Sequence, residues 1–302
     1  MKIAYICYEI QERYVVESIP DEDSRLLTFL QEKGLDITRE IWTDTNVTWT
    51  SYDLVLLKSP WDYFDRIQEF YAWLKQLKDA GITMLNTYDT VKWNSDKHYL
   101  SDMITAGFPV IPSQYLEQGT QPDLAGFFDA FNTDKLIVKP CISGGAKNTI
   151  VITRDKIATQ SSHVTELLQT EAFMVQPFIK EIKEGEWSLL FFNGSFSHAV
   201  LKVPKPEDFR VQHYHGGIVE ARVPDTSLVA AARAFLTRFA PDSLYARVDG
   251  IVINDQFTLM ELELIEPLLF LDSDPSSYER YYQALVHRCG QLQQPKQLHT
   301  IE

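Results

Sequence analysis

Three carboxylates set the chemistry open to this chain. Glu261 and Glu263 stand two residues apart in the stretch Phe257 to Leu264, which reads as a strand of strict apolar and polar alternation, so both leave the same face. The run Ile251, Val252, Ile253 enters a polar turn at Asn254 and Asp255, making the whole a β-hairpin. Asp249, expected just ahead of the outgoing strand, folds back towards the pair. Unpaired carboxylates this close repel and are costly to bury, and a cation is the usual relief. Hard oxygen ligands in that number suit Mg²⁺ or Mn²⁺, above all with phosphate completing the shell. The wet face of an edge strand would carry the same pattern, and spacing alone does not separate the two.

Basic and glycine-rich stretches supply the opposite charge. Lys139 ends an apolar strand, Lys135 to Pro140, that leads into Ser143, Gly144, Gly145 and Ala146, where glycines would let backbone N–H groups approach phosphate oxygens. Lys97 is expected in the first turn of a helix beginning near Ser95. A lysine there opposes the helix dipole and favours an anionic partner, although a solvated surface lysine explains it as well. Lys202 ends a second hairpin, Trp187 to Val203 around Asn193-Gly194. The long polar loop after it carries Arg210, Gln212, His213 and His215 and reads as a cover for a reaction centre. Two histidines without a third His or Cys do not define a zinc site. Lys58, Trp61 and Asp62, in the loop KSPWDYF, are substrate-pocket candidates, or else members of a proline turn pinned by a packed tryptophan.

The elements that must position these groups follow from periodicity. Residues 2–8, 35–42 and 54–57 read as strands around a helix from Ser24 to Lys33, an α/β layer. Further helices are predicted over Phe70 to Lys78, Asp123 to Phe131, Thr165 to Thr170, Leu228 to Phe239 and Tyr278 to Cys289, with a strand over Phe173 to Ile179. Three units result: residues 1–90, an N-terminal α/β domain; 91–178, a central lobe; and 179–302, a C-terminal lobe with the acids.

Composition narrows the class. The 302 residues are 45% apolar and 23% charged, as in ordinary globular proteins. A net charge of −14 argues against nucleic acid or an anionic membrane as partner, so an anionic substrate needs local cations. The start MKIAYICYEI lacks the pattern of a signal peptide, and no run approaches the ~20 apolar residues of a membrane span. Cys7, Cys141 and Cys289 are scattered and odd in number, which suits reduced, packed thiols in a cytoplasmic protein.

From about Trp93 to Asp272 the order of these parts resembles the ATP-grasp superfamily, in its glutathione-synthetase-like branch. Lys97 matches the lysine before the family's central lobe, and Lys139 with Ser143, Gly144, Gly145 and Ala146 matches its V-K-P strand and glycine loop. Gln176, Pro177, Phe178 and Ile179 match the hinge that faces adenine, and Glu184, Gly185 and Glu186 the acidic element after it. Lys202, Arg210, Gly216 and Gly217 match a basic residue, an arginine eight positions on and a closing Gly-Gly. Asp249, Glu261 and Pro267 match the metal-binding pattern. Glu263 stands where that branch has asparagine, which keeps an oxygen ligand. Ser188 replaces its arginine, which weakens the case for glutathione-type substrates. Arg247, where small residues are usual, would pair with the carboxylates or hold a substrate anion. W-N-x-D-K-x-Y-L at Trp93 to Leu100, PWDY near Trp61, R-V-D-G and ELELIEPLLFL look like the subgroup that contains the cycloserine-forming cyclo-ligase of O-ureidoserine.

The resemblance implies an α/β protein with an ATP-grasp fold behind a Rossmann-like N-terminal domain. It also implies a carboxylate–amine ligase using ATP and Mg²⁺, with Mn²⁺ as substitute. Lys97 and Lys139 would hold the α- and β-phosphates, Lys202 and Arg210 the γ-phosphate, and Asp249, Glu261 and Glu263 the metal. The substrate would be small and amino-acid-like. An intramolecular cyclo-ligase, a two-substrate amino-acid or peptide ligase, and a non-catalytic ATP-binding protein are the alternatives. Homo-oligomer formation is left open by the sequence.

Overall fold

The computed structural model describes residues 1–9, 21–145, 147–205 and 217–293. Ala146, Arg210, Gln212, His213, His215 and Gly216 lie outside them. Strands β1 (Lys2–Cys7), β2 (Asp36–Ile41), β3 (Leu54–Ser59) and β4 (Thr83–Leu85) form a parallel sheet in the order β2-β1-β3-β4. Its central strands are near-continuous apolar runs because both faces are covered. Ile3, Tyr5 and Cys7 pack with Leu26 and Leu30 of α1 (Glu22–Glu32) and with Tyr281 and Leu285 of the last helix. Ala4 and Ile6 pack on Phe70, Trp73 and Leu74 of α2 (Ile67–Asp79).

Two short helices, α3 (Tyr88–Asn94) and α4 (Tyr99–Thr105), lead to a second, antiparallel sheet. It contains β5 (Gln114–Leu116), β6 (Lys135–Pro140), β7 (Ile150–Thr153) and β8 (Phe173–Pro177), in the order β5-β8-β6-β7, with α5 (Leu124–Ala130) and α6 (Ile157–Leu167) on one face. The helix expected over Thr165 to Thr170 therefore begins eight residues earlier. The polar stretch ATQSSH hides its start, because only Val164 of this helix is buried.

The third sheet is antiparallel: β9 (Glu186–Phe192), β10 (Ser195–Val203), β11 (Ile218–Ala221), β12 (Tyr245–Ile253) and β13 (Gln256–Glu263), in the order β11-β10-β9-β12-β13. α7 (Thr226–Phe239) and α4 cover one face through Phe235, Leu236, Leu100 and Met103. α8 (Ser277–Gln293) returns to the parallel sheet. All three cysteines are free, and Cys7 and Cys141 are buried.

The β12–β13 hairpin departs from its expected form in two ways. Asp249 lies in the middle of β12, opposite Glu261, instead of ahead of the strand. The alternation along β13 is also not strict, since Leu259 and Met260 are adjacent and apolar. There the pairing jumps from Gly250↔Leu259 to Asp249↔Glu261, leaving Met260 as the extra residue of a β-bulge. Phe257 and Leu259 before it face the helices, as do Leu262 and Leu264 after it, although the two pairs differ in parity. The bulge resets the phase and turns Glu261 and Glu263 away from the apolar core. Gly250 sits opposite. A Cβ there would stand 2.5 Å from Phe257 Cζ and 2.6 Å from the Thr258 carbonyl oxygen, so backbone as well as ring would have to move. Gly250→Ala is expected to destabilise the protein by about 1–3 kcal/mol, read from the midpoint of urea unfolding.

Candidate active site

A cavity of about 630 Å³ lies where the three sheets meet. Its walls come from the second sheet, from Lys97 with the glycine loop, and from the third sheet. On β6 the buried Leu136 and Val138 face the helices, while Ile137 and Lys139 line the cavity beside Gln176, Pro177, Phe178 and Ile179. Ile111, Ile182 and Met260 complete an apolar slot suited to a flat ring. The Gln176 side chain donates to Ser113 Oγ at 2.9 Å, and the Phe178 N–H to the Lys135 carbonyl at 2.9 Å.

Lys97 and the glycine loop form the second wall. Lys97 is not in a helical first turn: it lies between α3 and α4, 6% exposed, with its ammonium on the Ser143 carbonyl at 2.7 Å and on Glu261 at 3.3 Å. The reason lies in Asn94, which ends α3. Its amide donates to the Leu262 carbonyl at 2.8 Å and accepts from the Leu264 N–H at 3.0 Å, so it acts as a strand partner along the free edge of β13. The Tyr99 hydroxyl adds a bond from the Leu262 N–H at 2.8 Å. The stretch Trp93 to Leu100 thus clamps the acid strand and delivers Lys97 to it. Lys139 reaches the same space, and among the described residues its ammonium has no hydrogen-bond or ion-pair partner. Burial lowers its pKa.

The third wall carries the acids, and they are not unpaired. Asp249, 3% exposed, accepts from Ser188 Oγ at 2.6 Å, from Lys202 at 3.2 Å and from the Arg247 guanidinium at 2.9 Å. Despite burial, those two cations hold its carboxyl down at about 2. Lys202 also pairs with Glu186, and Arg247 with Glu263. Burial pushes the Glu263 carboxyl up to about 7 in spite of Arg247, with Asp249 and Glu261 acting in the same direction as burial. Glu266, which the sequence reading did not single out, is pushed up to about 8 by burial and by Glu263. A wall of hard oxygen donors short of positive charge fits a divalent cation at Glu261 and Glu263. Asp249 would join only by giving up part of its present contacts.

Of the loop KSPWDYF only Trp61 meets the cavity as expected; Tyr63 and Phe64 join it. Lys58 is fully buried instead, paired with Asp23 at 2.9 Å and Glu22 at 3.2 Å, and it donates to the Pro267 carbonyl. Asp62 is spent on Trp42 Nε1 at 2.7 Å. Lys58 is drawn inwards because the segment after β13 is irregular and buried, and its backbone has to be satisfied by side chains. Trp61 takes the Glu266 carbonyl, Arg247 that of Leu268 and His198 that of Leu269, while Glu22 accepts from the Leu269 and Leu271 N–H groups.

Residues 102–263 match the prokaryotic glutathione synthetase ATP-grasp domain, and residues 3–86 match the N-terminal domain of the D-cycloserine synthetase DcsG. The chain belongs to the ATP-grasp family and is an ADP-forming carboxylate–amine ligase; enzymes of this family use ATP and a divalent metal. It is 30% identical over 276 residues to the cycloserine biosynthesis protein DcsG of Streptomyces lavendulae, spanning 85% of this chain and 90% of that one. The crystal structure of D-cycloserine synthetase DcsG superposes with a TM-score of 0.81 at 25% identity, over 95% of this chain and 99% of that one. A D-alanine–D-alanine ligase from Bacillus anthracis complexed with ATP shares the fold, with a TM-score of 0.71 at 15% identity over 97% and 98% of the two chains.

Asn94→Ala would leave the buried Leu264 N–H without its partner and the Leu262 carbonyl with the Tyr99 hydroxyl alone. A loss of about 2–4 kcal/mol in urea unfolding is expected, with a weaker protective effect of added nucleotide on melting temperature.

Proposed function

We propose that this chain activates a substrate carboxylate as an acyl phosphate and closes it onto an amine of the same molecule, as an intramolecular cyclo-ligase. The observation that carries the reading is one shared cavity. The lysines and acids of the two antiparallel sheets share it with Trp61, Tyr63 and Phe64, which belong to the N-terminal stretch that matches cycloserine synthetase. The base of the nucleotide would lie in the slot of Ile111, Ile137, Gln176 and Phe178. Lys97 and Lys139 would bind the α- and β-phosphates, and Ser143, Gly144 and Gly145 would cover them.

A substrate carboxylate oxygen attacks the γ-phosphorus, the bond to ADP breaks, and an acyl phosphate forms. The amine then attacks the acyl carbon, loses its proton and expels phosphate, leaving a cyclic amide. Lys202 and Arg247 would balance the charge that gathers on the transferred group and on the acyl oxygen, which needs positioned cations rather than a protein nucleophile. Glu261 and Glu263, with Asp249, would hold Mg²⁺. When bound, the ion would supply charge neutralisation for the phosphates.

The test is an ADP-release assay over amino acids and their ureido and hydroxamate derivatives, O-ureidoserine included, with products weighed by mass spectrometry. A product built from one substrate molecule is expected, and one joining two molecules would replace the cyclase with a two-substrate ligase. EDTA should abolish ADP release and Mg²⁺ restore it. Glu261→Gln should lower the metal-dependent rate about 100-fold or more with the fold intact. Wild-type turnover in that variant would remove Glu261 from the metal site. Lys139→Ala should raise the Kd for ATP about tenfold or more, and an unchanged Kd would contradict its role.

A further inference from the structure

Glu266 is the acid that this machinery leaves over. Asp249 is held by Lys202 and Arg247, Glu263 by Arg247 and Glu261 by Lys97. Among the described residues no cation pairs with the Glu266 carboxylate. Its backbone is nevertheless fixed, since Trp61 Nε1 donates to its carbonyl at 3.0 Å. The carboxylate also sits against the glycine loop. A Cβ built on Gly144 would stand 3.6 Å from Glu266 Oε1 and 2.8 Å from Phe64 Cε1, so acid, aromatic ring and loop backbone converge on one point. It is the nearness of Phe64 that requires glycine here.

Once ionised, a carboxylate facing a loop that covers phosphate would repel the nucleotide, and a positive group between them would both relieve that repulsion and favour ionisation against the burial that pushes this carboxyl up. The surroundings favour an organic cation. Trp61, Tyr63 and Phe64 line the cavity at this side, and aromatic rings attract ammonium groups. The oxygen donors that suit a divalent metal gather at Glu261 and Glu263, whereas Gly144 and aromatic side chains stand on this side of Glu266. We infer that Glu266 binds the ammonium group of the substrate whose carboxylate is activated, a nitrogen that stays protonated and is distinct from the attacking amine. The enzyme then selects amino acids and their derivatives over plain carboxylic acids. This rests on the ligase reading above.

The full chain is assayed for ADP release with ATP and Mg²⁺ on acids offered with and without the α-amino group. The pairs are alanine and propionate, serine and 3-hydroxypropionate, and O-ureidoserine and its desamino counterpart, the chiral members in both configurations. The aminated member of each pair is expected to release ADP faster than its partner; for alanine and serine, which lack a second nitrogen, that ADP marks acyl-phosphate formation without ring closure. Glu266→Gln should raise KM for the accepted compound about tenfold or more, with KM for ATP and Mg²⁺ within about twofold of wild type. Glu266→Asp, which keeps the charge, should recover part of the loss, and it stands in if the glutamine variant does not fold. Equal use of a desamino partner by the wild type would overturn the proposal. So would a variant whose KM rises for Mg²⁺ or ATP instead. If no member releases ADP, the proposal falls, and the melting temperature with and without ATP and Mg²⁺ then decides whether the ligase reading falls with it.

Discussion

Charge balance inside a buried cavity is the constraint around which this structure is built. Isolated ions removed from water cost several kcal/mol each even after relaxation, so acids can line such a space only if cations interleave with them. Here they do: Lys202 stands between Glu186 and Asp249, Arg247 between Asp249 and Glu263, and Lys97 against Glu261. Those four acids thus each have a cation without any ligand, and Glu266 is the one left over. A metal–nucleotide complex brings both signs of charge at once and can exchange partners with this set instead of adding charge to it.

The fold delivers those side chains by ordinary means. Period-two alternation sends Leu136 and Val138 to one face of the second sheet and Ile137 and Lys139 to the other. Irregular backbone is handled differently. The segment after β13 has its amides and carbonyls met by Asn94, Trp61, Lys58, Arg247, His198 and Glu22, drawn from all parts of the chain. Lys58 and Glu22 therefore belong to the scaffold. They tie the parallel sheet to the stretch that carries Glu266, and this explains why a fully buried lysine lies so near a reaction centre without lining it.

Much of this was legible in the sequence because it is local. Hairpins, the KLIVKP strand and its glycine loop follow from periodicity and turn residues, and the order of motifs pointed to the family. What escaped depends on contacts remote along the chain. No local pattern tells that Asn94 will serve as a strand partner for β13, so Lys97 was expected on a helix it only adjoins. Lys58 and Asp62 carried the right chemistry for a pocket, yet their partners Glu22, Asp23 and Trp42 lie far away in sequence. Arg247, two residues before Asp249, is within local reach of the acids and its pairing with them is legible, whereas Lys202 meets Asp249 and Glu186 only in the folded sheet. The neighbouring pair Leu259 and Met260 did break the alternation, and a stricter reading of that one step would have placed the bulge.

That single supernumerary residue has a practical corollary for comparing sequences. A relative whose corresponding strand runs straight would, under ungapped matching, have its inward leucines set against Glu261 and Glu263, and the resemblance would dissolve on one side of the hairpin. Opening a gap of one at Met260 restores the correspondence. Homologues of this enzyme are best matched in two blocks that meet there, each scored on its own parity.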